Sequence, residues 1–287
     1  MIPDAQEVCK KLIFDCDGRL APLFQRSFPG VKVYGTRVKE EKWAKEDWEM
    51  DASLPVGQCG EYFRRSDAEF PGIPYLVPCP IRTAQWKNHF QGKPTVGIAW
   101  TGGKVRTNNR NRRLTLEQLL PVLSLTARFV SLQYKDATEE IEAFKARNPE
   151  CDLHEYPWAT ESFDYDDTAA LVAACDCVIT MQTAVAHTAG GLGVPVTVFV
   201  PLATSWRYGH QSESIPWYKS MKVIHQRVDG EWSEEIERVA RELGSYLGRL
   251  SERTADPARE GRVWNSVHPV RPNGLGSREP YGGSSPP

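Results

Sequence analysis

The stretch from Val178 to Val200, VITMQTAVAHTAGGLGVPVTVFV, constrains the fold more than any other part of this chain. An apolar strand, a short polar turn, a small-residue helix, a glycine stop and a second apolar strand follow one another, the pattern of a strand-helix-strand unit. In an open parallel sheet, ligands bind outside the carboxyl ends of the strands. There a helix N-terminus offers free N–H groups and partial positive charge to an anion. Gln182, Thr183 and Ala184 occupy that position, and His187 lies one helical turn further on. The small residues Ala184, Ala186, Ala189, Gly190 and Gly191 suit close approach of a ligand and close helix-to-sheet packing equally well. Gly190, Gly191 and Gly193 read as a helix C-cap and not as a dinucleotide fingerprint, which must open a helix.

Around this unit the chain alternates. Thr95 to Trp100 reads as strand, Thr115 to Leu125 as helix, Phe129 to Leu132 as strand and Thr138 to Arg147 as helix. A short strand near Cys151, a helix over Asp167 to Ala174 and a strand at Cys177 to Thr180 follow. A last strand at Lys222 to His225 and an amphipathic helix from Ser233, as N-cap, to about Leu250 complete a doubly wound α/β domain. Before it, Lys11 to Asp15 and Val31 to Tyr34 read as strands flanking a helix over Leu20 to Phe28. Phe70 to Tyr75 marks a turn, and a junction lies near Gln91 to Pro94. The expected division is 1–92 as a partial N-terminal lobe, 93–250 as the main lobe and 251–287 as a disordered Pro/Gly/Ser-rich tail.

A net charge of -2 gives no footprint for a nucleic-acid polymer. Seven scattered cysteines, at 9, 16, 59, 79, 151, 175 and 177, read as reduced thiols. The CxC at Cys175 and Cys177 lies on a strand whose alternate side chains face opposite ways, which disfavours a metal site. No apolar run reaches the roughly 18 residues of a membrane span and no signal peptide follows Met1, so the expected location is cytoplasmic.

Three constellations carry chemistry. Trp100 to Arg113, WTGGKVRTNNRNRR, joins Gly102 and Gly103 to the cations Lys104, Arg106, Arg110, Arg112 and Arg113 at a strand's C-terminal end. This suits a diphosphate, or simply a solvated basic loop. In FVSLQY, Ser131, Gln133 and Tyr134 stand at the next strand tip, where amide and ring could hold a nucleobase. Asp164, Asp166 and Asp167 suit a helix N-terminus. A fourth pattern points elsewhere: KLIFDCDGRL, Lys11 to Leu20, resembles the first motif of haloacid-dehalogenase-like phosphatases. Such an enzyme would use Asp15 as nucleophile, Asp17 as general acid, Ser131 as second motif and Asp166 with Asp167 at magnesium, although Arg19 departs from that family's pattern.

The matching stretches RLAPLFQRSFPGVKV, GQCGEYFRRS, FPGIPYL, VGIAWTGG, NRNRRLTLEQL, FVSLQY, residues 166–201, WRYG and PWYKSMKVIHQ cover most of residues 12–230. In order and spacing they resemble the glycosyltransferase region of bacterial tetratricopeptide-repeat proteins, relatives of the family 9 heptosyltransferases and, more distantly, of O-GlcNAc transferases. The resemblance implies a GT-B-like fold of two Rossmann-like lobes facing a cleft, here with an incomplete N-terminal lobe. It also implies sugar transfer from a nucleotide-activated donor without metal or cofactor. Trp100, Gly102, Gly103, Lys104, Arg112, Gln133, Gln182, Thr183, Ala184 and His187 would form the donor site. Lys104 would neutralise the leaving diphosphate, and His187 would bond a phosphate or sugar oxygen or stand as a buried, satisfied histidine.

Two departures qualify these expectations. Gln182 stands where heptosyltransferase-type relatives carry Asp, and Met1 falls after the strand and Gly-rich loop that bear their catalytic base. Asp51, at the expected tip of an N-lobe strand, is the remaining candidate base. The acceptor, whether glycan, lipid-linked or protein, is left open. The alternative is an inactive lobe pair that binds a nucleotide sugar, or a partner protein that completes the N-terminal lobe.

Overall fold

The computed structural model describes residues 1–36, 46, 49–102, 112–209 and 212–255. Its centre is a sheet of six parallel strands: β3 (Thr95–Ala99), β4 (Arg128–Ser131), β5 (Leu153–His154), β6 (Cys177–Met181), β7 (Val196–Val200) and β8 (Met221–His225), in the order β5-β4-β3-β6-β7-β8. A separate pair of short parallel strands, β1 (Ile13–Asp15) and β2 (Lys32–Tyr34), flanks helix α2 (Ala21–Ser27). Helix α1 (Ile2–Val8) precedes them, and α3 (Cys59–Phe63) follows. The α/β class expected from the sequence is therefore the observed one.

β3 and β6 are buried at every position because both faces of the sheet are covered, which is why they read as unbroken apolar runs. One core holds Trp100, Phe129, Phe144 and the apolar stripe of α10 (Ser233–Ala255), together with α5 (Leu120–Leu123) and α6 (Thr138–Arg147). The other holds the inner faces of α4 (Pro80–His89), α8 (Tyr165–Ala174) and α9 (Ala184–Leu192), with α7 (Pro157–Thr160) at its edge. The CxC does not lie on one strand as expected: Cys177 opens β6 and lies in the first core, whereas Cys175 is the C-cap of α8 and lies in the second.

Several elements differ from the sequence reading. The helix expected over Thr115 to Leu125 shrinks to Leu120–Leu123. Thr115 and Gln118 exchange reciprocal side-chain bonds that make a tight turn, and Pro121 has no N–H to continue a helix from Glu117. Ser233 is the first helical residue and not the cap: Trp232 supplies the carbonyl for Ile236 at 2.9 Å. Gly190 and Gly191 belong to the last turn of α9, and Gly193 alone makes the left-handed cap, at φ 77°. Helix α4 carries no visible apolar period, because Trp86 is its one buried residue. Although it falls before residue 93, it packs on α8.

The N-terminal segment is tied to this body by ion pairs between residues far apart in the chain. Arg26 of α2 forms a two-point ion pair with the buried Asp166 and donates to the Val77 carbonyl at 2.8 Å. Arg82 of α4 reaches Asp164 and Asp167, each at 2.8 Å.

Candidate functional site

Numbered along the chain, the main sheet runs third, second, first, fourth, fifth, sixth. Its connections therefore diverge at the boundary between β3 and β6, and a crevice outside the strands' carboxyl ends at that boundary is the place for a ligand. The loops that leave these two strands touch there. A Cβ added to Gly102 would stand 2.5 Å from Thr183 Cγ2, so only glycine allows the β3 loop to lie on the mouth of α9.

The base of the basic loop is a short hairpin. Gly102 donates to the Arg112 carbonyl at 3.0 Å and Leu114 to that of Trp100 at 2.8 Å, while Thr101 bridges to Arg113. This folds Arg112 back over the β6 loop, where its Nη2 donates to the Gln182 carbonyl. Its Nε is buried with no hydrogen-bond partner among the described residues. Gly103, Lys104, Arg106 and Arg110 lie outside the described residues.

At α9, Thr183 occupies the N-cap position but does not cap. Its hydroxyl pairs with Thr180 Oγ1 at 3.1 Å, so the helix has no side-chain cap among the described residues, and Ala184 is exposed. Gln133 is buried and spends both ends of its amide on Thr101, accepting from the backbone N–H and donating to the hydroxyl. It binds the β4 tip to the β3 tip. A cavity of about 210 Å³ beside them is lined by Thr101, Gly102, Arg113, Gln133, Lys135 and Glu140, among others. A larger groove of about 840 Å³ lies between β8 and α10 and includes none of the residues at the β3–β6 boundary.

Trp100 and His187 both have partners within the protein. Trp100 is 1% exposed, sunk in the first core with its indole N–H given to Glu140 at 3.1 Å, so it supports the loop and offers no ring to a ligand. His187 has both ring nitrogens engaged, Nε2 with the Tyr208 hydroxyl at 3.2 Å and Nδ1 with that of Tyr218 at 3.4 Å. Burial, with a contribution from the Arg207 guanidinium, lowers its pKa to about 4, so the ring is neutral. His187 is half-buried, with both nitrogens given to tyrosine hydroxyls.

The sequence reading did not single out Arg207 and Tyr208, although the WRYG stretch contains them. They follow β7 in a single turn, Trp206–Tyr208. Burial pushes the Tyr208 phenol up to about 12, while the charges of Arg207 and Arg112 pull it down.

Asp51 lies exposed on irregular chain and not at a strand tip. The residues of the phosphatase pattern all have partners of their own. Asp15 accepts from Thr36, Asp17 caps the turn at Arg19, Asp166 is held by Arg26 and Asp167 by Arg82, while Ser131 is buried within the main sheet. Among the described residues no group of three or more His, Cys, Asp or Glu is placed to hold a metal ion. No helix among them is long and apolar enough to cross a membrane.

No protein-family model matches the chain. It is 32% identical over 263 residues to protein FlbA of Caulobacter vibrioides, a match that takes in 86% of this chain and 44% of FlbA. The chain thus spans less than half the length of that relative. Among solved structures it is similar to E. coli ADP-heptose lipopolysaccharide heptosyltransferase II, at 16% identity and TM-score 0.46, over 66% of this chain and 59% of that one. It is also similar to a family 9 glycosyl transferase from Veillonella parvula, at 13% identity and TM-score 0.40, over 62% of this chain and 47% of that one. A third likeness is to WaaG, a glycosyltransferase involved in lipopolysaccharide biosynthesis, at 13% identity and TM-score 0.39, over 88% of this chain and 72% of that one.

Proposed function

We propose that the chain is a glycosyltransferase whose main lobe, residues 93–250, binds a nucleotide-activated sugar at the β3–β6 boundary. In this reading residues 1–92 form the acceptor side, and the acceptor is a glycan, a lipid-linked glycan or a protein. The observation that carries the reading is the seating of Gly102 on Thr183 beside Arg112, at the mouth of a helix that has no side-chain cap among the described residues. A diphosphate placed there would meet the helix dipole and a guanidinium together. The resemblance of residues 12–230 to the glycosyltransferase region of tetratricopeptide-repeat proteins supports the same reading.

In the proposed reaction an acceptor hydroxyl oxygen bonds to the anomeric carbon while the bond from that carbon to the diphosphate oxygen breaks. The acceptor proton passes to a general base, and the departing diphosphate takes the negative charge. Arg112, Lys104 and the α9 amides would stabilise that charge in place of a metal ion. A second reading, an inactive nucleotide-sugar binder, is favoured by the carboxylates near the cavity. Glu140 is committed to Trp100 and Arg113, and Asp136 accepts from the Thr138 N–H.

Calorimetric titration without added metal, using UDP, ADP, GDP and CDP sugars, tests the site. Saturable binding that weakens about tenfold in Arg112→Ala and Lys104→Ala, the loss of one charged hydrogen bond each, is expected, with a smaller loss in Thr183→Val. No binding to the folded protein would remove the donor-site reading. Donor turnover in the presence of acceptor then separates the enzyme from the binder.

A further inference from the structure

Residues 72–76 form a strap across the C-terminal end of α9. Tyr75 and Leu76 both donate to the Gly191 carbonyl, at 2.8 and 2.9 Å, and Lys219 donates to the Gly72 carbonyl at 3.0 Å. The strap can lie this low because glycines floor it: an added Cβ would meet Leu76 at 2.8 Å from Gly191 and Pro74 at 2.4 Å from Gly193. From the strap a line of hydroxyls and an imidazole leads to the rim. Tyr75 and Tyr218 share a hydrogen bond at 3.2 Å, Tyr218 meets His187 Nδ1 and His187 Nε2 meets Tyr208.

A neutral imidazole has one donor and one acceptor nitrogen, and each phenol can do both, so the line can be satisfied from end to end. Its last member, Tyr208, is 2% exposed and immediately follows Arg207, which is exposed and packs over the Trp206 ring with 5.4 Å from its guanidinium carbon to the centroid. Anchoring Tyr208 therefore sets where the Arg207 guanidinium can go.

Resting on the donor-site reading above, we propose that the chain Tyr75–Tyr218–His187–Tyr208 is a positioning device. It seats the Trp206–Tyr208 turn against α9 and presents Arg207 to the donor diphosphate, and His187 acts through Tyr208 without touching the donor. The strap thereby tunes donor affinity from the far end of the helix. His187 is a positioning residue in this scheme, and Arg207 becomes a second diphosphate-binding cation beside Arg112.

The test titrates UDP, ADP, GDP and CDP into the full chain and into folded Arg207→Ala, Tyr208→Phe, Tyr75→Phe, His187→Ala and His187→Gln, with thermal unfolding recorded for each. Arg207→Ala is expected to lose about tenfold in affinity, as for one charged hydrogen bond, and Tyr208→Phe and His187→Ala a few-fold. Tyr75→Phe, which removes one remote hydroxyl, is expected to weaken binding measurably while the protein stays folded. His187→Gln, whose amide stands where Nε2 does, should recover most of what His187→Ala loses. Full affinity in Tyr208→Phe and Tyr75→Phe, with binding lost in both His187 variants, would place His187 on the donor itself and overturn the proposal. Failure of the wild-type chain to bind any of the four would instead remove the donor reading on which it rests.

Discussion

Replacing Gly190 by Ala asks whether the small residues of α9 serve ligand approach or packing. A Cβ at this position would stand 2.5, 2.6 and 2.9 Å from three ring carbons of Tyr218, closer than carbon contacts allow. The ring has little room to move, being 6% exposed in the second core with its hydroxyl held by Tyr75 and His187. Forcing an extra carbon into such a site costs about 1–3 kcal/mol. Against this, exchanging Gly for Ala within a helix gains at most about 1 kcal/mol. Gly244→Ala in α10 is the reference, because its new Cβ would lie 3.5 Å from Leu125 Cδ2, an ordinary contact. The propensity gain enters both variants, so their difference isolates the clash. Gly190→Ala should be less stable than Gly244→Ala by about 1–3 kcal/mol, and its melting temperature lower by about 2–4 °C for each kcal/mol. Urea unfolding followed by tryptophan fluorescence, with a thermal scan, measures both. Equal stability of the two variants would refute the reasoning, since the Tyr218 seat would then be soft.

Two further predictions concern charge. His187 has a folded-state pKa of about 4, below the 6.5 of an unburied ring, so the unfolded chain binds the extra proton first. Its contribution is therefore fully present above about pH 6.5 and lost as the pH falls towards 4, up to about 3 kcal/mol in all. Denaturation at pH 7 and pH 4.5 should show a larger loss for the wild type than for His187→Gln, and parallel losses would contradict the burial argument. For the pair between Arg26 and the buried Asp166, removing Arg26 leaves a desolvated carboxylate, whereas removing Asp166 leaves a guanidinium that still reaches solvent. Arg26→Ala should cost about 3–5 kcal/mol, Asp166→Ala less, and the double variant less than their sum. Additive losses in that cycle would show that the contact carries no coupling.

Much of the six-stranded sheet could be read along the chain, because a parallel sheet covered on both faces turns each strand into an apolar run. α6 lies where its spacing predicts, at Thr138–Arg147, and β6 and β8 fall within one residue of expectation. The failures were local. Pro121 and the Thr115–Gln118 turn break a helix whose apolar spacing looked continuous, and α4 hides because a single Trp anchors it. Of the candidate site, Gly102, Arg112, Gln182, Thr183 and Ala184 do meet at one boundary between strands. Trp100 turns inward and Asp51 lies apart on exposed chain.

The α/β class, the strand-helix-strand unit at Val178 to Val200 and the helix that starts just after Thr183 were legible in the chain. These follow from periodicity and from residue types adjacent in the chain. The folded arrangement alone sets β3 beside β6, folds Arg112 over the Gln182 carbonyl, and lays residues 72–76 as a strap over the glycines at the end of α9. It also decided that His187 faces two tyrosines, 21 and 31 residues away. Such partnerships depend on strand order and on which side chains share a buried volume, and neither leaves a period or a spacing in the chain.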